Sequence, residues 1–225
     1  MQVETKYSPS YTLAIVKLAA NEPIRVEAGA MVSMSDGITL ETKAEGGLLK
    51  SVARSLLGGE SFFVNRYFAP AQGGEITLAP TLPGDIVALQ LNNETGMLES
   101  GAYLASSDGI TLDTKWGGSK TFFASEGAIM LRATGTGTLL FDSYGAIHEV
   151  ELAAGQKYTV DTGHLVAFPE GISFQVRKVG NLKSTLFSGE GLVVDLTGPG
   201  KVYLQTRSTG AFLGWLIPQL PTKQQ

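Results

Sequence analysis

A chain of 225 residues with 43% hydrophobic and 17% charged side chains can bury a core and lacks the weak hydrophobicity and strong charge of a disordered segment. Its net charge of -4 and pI near 5.3 give no global attraction for phosphates, so nucleic acid is a disfavoured partner. Cysteine is absent, which excludes a disulfide framework, a thiolate metal site and a cysteine nucleophile.

The opening residues, Met1 to Lys6, show neither a charged-then-apolar signal pattern nor an Arg/Ser-rich transit pattern. No apolar run approaches the roughly 20 residues that span a bilayer. A soluble, cytoplasmic protein is expected.

The first strong feature is a repeat. The fifteen residues from Gly29 to Lys43 return 72 positions later as Gly101 to Lys115, with ten identities and no gap. A third copy starts 62 positions on, at Gly163, and keeps the leading glycine, the acid-glycine pair and the isoleucine (Glu170, Gly171, Ile172). Downstream, Ser61-Phe62-Phe63 matches Thr121-Phe122-Phe123 and Thr185-Leu186-Phe187. Glycine-led segments at Gly73, Gly135 and Gly198 follow in the same order. The pattern predicts three units over 11–92, 93–152 and 153–208, with an apolar tail over 209–225.

Within a unit the pattern is β. Asp36-Gly37 and Asp108-Gly109, flanked by apolar residues, predict hairpin turns. Residues 38–42 and 110–114 alternate apolar and polar, as half-buried strands do. Phe62-Phe63-Val64 and Ile129-Met130-Leu131 read as strands buried on both faces. One stretch differs: between Gly46 and Gly59, the spacing of Leu48, Leu49, Val52 and Leu56 predicts a short inserted helix capping the β core. Lys50 with Arg54, and Arg177 with Lys178 and Lys183, read as solvated faces. The fold class is therefore all-β, three repeats in a β-sandwich or double-stranded β-helix-like arrangement with one inserted helix.

Several segments together resemble a known family. Gly59 to Arg66, Leu82 to Ile86, Asp161 to Phe168, Leu186 to Leu192 and Gly198 to Ser208 are similar, in order, to the bacterial branch of the altered-inheritance-of-mitochondria family, over about Tyr11 to Ser208. The resemblance implies a fold like that of the tryptophan RNA-binding attenuation protein, repeated with pseudo-threefold arrangement. It also implies assembly into homo-oligomers, and it carries no established biochemical activity.

The residues themselves support no catalytic, cofactor or metal site. The two histidines, His148 and His164, lie sixteen positions apart, too sparse for a ligand cluster. His164 with Asp161 is a candidate polar site of the third unit, against the simpler expectation of a histidine held by one hydrogen bond. Asp36, Asp108 and Glu170 are equivalent, and around a threefold axis they could share a cation; the turn role is the stronger expectation. Ser188-Gly189-Glu190-Gly191 lacks a nucleophile elbow and Gly135-Thr136-Gly137 opens no helix, so both are expected to be turns. Arg66-Tyr67-Phe68 is expected in a core strand rather than on a base-stacking platform. The residues favour a non-catalytic, self-assembling scaffold or binding protein, with a protein or membrane surface as possible partner. A small-ligand or RNA-binding groove between units is the alternative, and an enzyme ranks last.

Overall fold

A computed structural model describes residues 1–41, 64–113, 130–179 and 192–221. The helix expected between Gly46 and Gly59, the aromatic triplets at 61–63, 121–123 and 185–187, and the stretch 188–191 lie outside the described residues. So do Lys50, Arg54 and Lys183.

The described residues are mostly antiparallel strand, and the fold is all-β. After an N-terminal strand β1 (Gln2–Lys6), pairing sorts the strands into three sets of six. The first set is β2 (Leu13–Leu18), β3 (Pro23–Glu27), β4 (Met31–Met34), β5 (Thr39–Glu41), β6 (Val64–Phe68) and β7 (Gly74–Leu78). The second runs through β8 (Ile86–Glu99), β9 (Tyr103–Ser107), β10 (Ile110–Asp113) and β11 (Met130–Asp142). The third is β12 (Ile147–Leu152), β13 (Lys157–Asp161), β14 (Leu165–Pro169), β15 (Ser173–Lys178), β16 (Leu192–Thr197) and β17 (Gly200–Gln205).

The same pairing rule governs every set. Its first strand pairs with its sixth, the second with the fifth, the third with the sixth and the fourth with the fifth. In the first set these pairs are β2·β7, β3·β6, β4·β7 and β5·β6. In the third they are β12·β17, β13·β16, β14·β17 and β15·β16.

In the second set, β8 and β11 each serve as two strands in one. β8 runs unbroken where the other sets turn at Asn21 or Gly155, and its partner β11 runs through Gly135 and Gly137. The break is reduced to a bulge. Register shifts between Gly135 and Thr136, and Asn93 opposite takes a left-handed φ of 60°. Gly135-Thr136-Gly137 is thus a bulge inside a strand, not the expected turn. A Cβ on Gly135 would lie 2.1 Å from the Gly109 carbonyl oxygen, which explains the glycine. Strand pairing also moves the unit limits to 13–78, 86–142 and 147–205, because residues 86–92 and 147–152 pair within the set that follows them.

The Asp-Gly turns are corners rather than hairpins. The strands on either side of each turn do not pair with each other: β4 goes to β7 while β5 goes to β6, β9 goes to Leu139–Phe141 of β11 while β10 goes to Arg132–Gly135, and at the Glu170-Gly171 corner β14 goes to β17 while β15 goes to β16. A type I′ hairpin needs positive φ at both central residues. Only Gly37 has it; Asp36 and Asp108 do not. The isoleucine after each corner is the buried anchor: Ile38, Ile110 and Ile172 all lie in the core.

Each core borrows from its neighbour. The first holds Leu104, Ala105 and Leu140 of the second set, and the second holds Val166, Ala167 and Tyr203 of the third. The third takes Met97 and Met130 back from the second. Two strand pairs join the sets: β3 with β9, and β8 with β14. The strands that a closed threefold would join, β4 and β13, instead each end a sheet. The described α-helix is C-terminal, α1 (Thr209–Leu216), capped by the Ser208 hydroxyl accepting from the Ala211 N–H at 3.4 Å.

Candidate functional site

The junctions between sets hold most of the polar geometry of interest. At the first, Asp108 on the corner of the second set sits between two arginines of the first. Arg25 Nε of β3 donates to its Oδ1 at 3.1 Å, and Arg66 Nη2 of β6 donates to its Oδ2 at 2.7 Å. Arg25 also donates to the Ile110 carbonyl at 3.1 Å. The Arg66 guanidinium lies 4.6 Å from the centre of the Phe68 ring, a cation–π contact. Beneath them Tyr103 is fully buried, its hydroxyl 2.9 Å from Ser106 Oγ and donating to the Arg25 carbonyl at 3.3 Å. Burial pushes that phenol far up from its ordinary pKa, so it stays protonated.

The second junction repeats the theme. Glu170, the corner acid of the third set, accepts from Arg132 Nη2 of β11 at 2.5 Å. Arg132 faces Met97 across the β8·β11 pair as Arg66 faces Arg25 across β3·β6, so both arginines hold the fifth-strand place. Residues beside this junction also line a groove of about 460 Å³. Its apolar lining includes Leu89, Leu91, Met97, Phe141 and Tyr203, and Phe141 meets Tyr203 edge-to-face at 5.0 Å. Of the charged groups in the lining, Glu170 is engaged by Arg132 and Lys201 by Glu149 at 2.7 Å, while Glu94 accepts from the Asn92 N–H at 3.4 Å. This surface can hold an apolar body.

The three equivalent acids are therefore not brought together. Asp108 and Glu170 each hold a guanidinium at a separate junction, and Asp36 stands exposed on the corner of the first set. Cation sharing gives way to ion pairing across sets. His164 and Asp161 do not form a pair either. His164 Nδ1 lies 2.7 Å from the Gln205 carbonyl oxygen, while Asp161 accepts from the Gly163 N–H at 2.8 Å and caps a short 3₁₀ turn. His148 is exposed on β12. Arg66-Tyr67-Phe68 lies in β6, with Tyr67 buried. Among the described residues, no group of three His, Asp or Glu side chains is placed to hold a metal ion.

Sequence reasoning missed Arg25, Arg132 and Asp142 and read Arg66 only as part of a core strand, although Arg66 and Arg132 hold matching places in their sets. Asp142 is nearly enclosed at the end of β11. Burial raises its carboxyl well above the ordinary range, and the charges of Glu27 and Glu99 raise it further.

Among the described residues, large apolar side chains stay in solvent at Tyr7 and Tyr11, on β4 and β5, and near the C-terminus. Those of β4 and β5 are Met31, Val32, Met34 and Leu40. Those of the C-terminal helix and the turn after it are Leu213, Trp215, Ile217 and Leu220. Phe212 of that helix meets Tyr144 edge-on at 6.0 Å. No helix among the described residues is long and apolar enough to cross a membrane.

Comparison with known proteins gives a consistent picture. The family model for mitochondrial biogenesis AIM24 matches residues 3–207. An uncharacterized protein of Streptococcus pyogenes serotype M6 is 30% identical over 223 residues, covering 96% of this chain and 89% of that protein. A crystal structure of a Streptococcus pyogenes protein superposes with a TM-score of 0.81 at 27% identity, covering 97% of this chain and 99% of the other.

Proposed function

The chain belongs to the AIM24 family, and on that footing we propose that it is a non-catalytic, self-assembling scaffold whose outer surfaces bind copies of itself and a protein or membrane-surface partner. One observation carries the reading: the polar groups at the junctions are used to hold the sets to one another, while Met31, Val32 and Met34 on β4 and Leu213, Trp215, Ile217 and Leu220 near the C-terminus are left in solvent. Contiguous exposed apolar surface on a folded chain marks a place of contact. Size-exclusion chromatography with light scattering tests it. A mass above one chain at micromolar concentration is the expected result, and a clean monomer would reject self-assembly.

A second reading rests on the groove beside the second junction. Its volume of about 460 Å³ and its apolar lining suit a small hydrophobic ligand. Native mass spectrometry of protein purified without detergent would show a bound small molecule if the groove is used. RNA is disfavoured by the acidic charge, and filter binding at low salt, where phosphate attraction is strongest, is expected to show none.

A further inference from the structure

We infer that β13 of one copy pairs with β4 of the next, so that chains join head to tail through a junction that reproduces the two inside each chain. The inference rests on the self-assembly reading above and names its geometry.

The internal junctions share one register. At the first, Ile24, Arg25 and Val26 of β3 face Ser107, Ser106 and Ala105 of β9. At the second, Gly96, Met97 and Leu98 of β8 face Pro169, Phe168 and Ala167 of β14. Aligned on the repeat, these are the same three places each time: the second strand of one set meets the third strand of the following set. Among the described strands, two are left without such a partner. They are β4, the third strand of the first set, and β13, the second strand of the last.

The same register, carried outward, sets Tyr158, Thr159 and Val160 against Ser35, Met34 and Ser33 of another copy. Each internal junction joins a three-stranded half-sheet to the half-sheet of its neighbour. The open ends are the two missing halves: β13-β16-β15 at one end and β1-β2-β7-β4 at the other. An exposed edge invites pairing unless it is blunted. β4 carries no lysine or proline and shows Met31, Val32 and Met34 to solvent at 36%, 58% and 42% exposure. Met34 stands where the internal junctions bury Ser106 and Phe168.

Charge fits with one change. Where internal junctions place Arg66 or Arg132, the third set has Asp195, facing Thr159 across β13·β16. Arg177 of β15 lies against that carboxylate, with Nε 2.5 Å from Oδ2, and Lys157 begins β13 beside it. Asp36 of the incoming copy, in the place of Asp108 and Glu170, thus comes beside the Arg177–Asp195 pair and Lys157. A contact between two different faces of the same chain builds a ring or a filament rather than a closed twofold dimer.

The absence of cysteine makes a clean test. Met34→Cys and Thr159→Cys are made as separate chains, mixed, oxidised mildly and run on a non-reducing gel. The expected result is a disulfide-linked dimer in the mixture and none with either variant alone. The double variant should give a ladder of linked chains. If only the double variant links, and only within one chain, the two edges close on each other and the inference falls. If light scattering reports an assembly but no link forms, the pairing is wrong and self-assembly stands. A monomer overturns both. As a second measure, Met34→Lys should reduce the assembly to single chains while leaving the circular dichroism spectrum and thermal midpoint of the dilute protein unchanged. An assembly that survives Met34→Lys overturns the pairing.

Discussion

β4 and its counterparts β9 and β14 hold the same place in their sets, yet their surroundings are opposite. All four residues of β4 are exposed, while Tyr103 to Ser106 of β9 and Leu165 to Phe168 of β14 are buried. Composition does not separate them, since Met31-Val32-Ser33-Met34 is about as apolar as Tyr103-Leu104-Ala105-Ser106. The difference is the neighbour. β9 and β14 each have the preceding set alongside, and β4 belongs to the first set, which has none before it. Burial in this fold is a property of the junction more than of the strand.

That comparison can be broken most sharply by truncating matched side chains. Leu104 in β9 is fully buried, and Val32 is its counterpart in β4. Leu104→Ala should cost about 3 kcal/mol of unfolding free energy through lost burial and the cavity left behind. Val32→Ala, measured by urea unfolding of protein dilute enough to be monomeric, should stay within about 0.5 kcal/mol. Equal costs would mean that β4 is covered.

The corner acids come next. Asp108→Ala removes the carboxylate held by both Arg25 and Arg66. Because these side chains are 22–33% exposed, the expected loss is about 1–2 kcal/mol rather than that of a deeply buried pair. Asp36→Ala, on the corner of the first set, should change the stability of the dilute protein by less than about 0.5 kcal/mol. Denaturation midpoints of the two variants decide it, and a loss for Asp36→Ala matching that for Asp108→Ala would show that the first corner already has a partner.

The smallest expected effect concerns the buried acid at the end of β11. Asp142 has a folded-state pKa raised by burial and by Glu27 and Glu99, so the native state holds its proton more tightly than the unfolded chain does. Its contribution to stability is complete below the ordinary carboxyl pKa and is lost as pH rises through the folded value. Asp142→Asn removes that titration while keeping the shape. The variant should match the parent near pH 4 and exceed it by a few degrees in thermal midpoint at pH 7. A midpoint difference that shrinks as pH rises would contradict the sign.

How much of this was legible in the sequence follows from the range of the interactions. The positions of β5 and β10 were readable, because alternation after an Asp-Gly pair is a local signal. The partners of those strands were not. An Asp-Gly pair between apolar stretches looks alike whether the flanking strands pair with each other or leave for different sheets, and here they leave. Gly135-Thr136-Gly137 reads as a turn for the same reason, since the choice between turn and bulge is made by Gly109 packed against it. The Asp108 ion pairs join residues 42 and 83 positions apart, so no spacing rule reaches them. His164 stayed legible in the plainer of its two expected roles, one hydrogen bond to a carbonyl.

The uninterrupted β8 and β11 have a mechanical consequence. In the outer sets, short connections stand between the first and second strands, and between the fifth and sixth, so the half-sheets are joined through turns. In the middle set the long strands cross from one half-sheet to the other without a hinge, bent only at Asn93 and the bulge opposite. The angle between the flanking sets is thereby built into covalent beams, and any array of these chains would take its curvature from the middle of each subunit rather than from its ends.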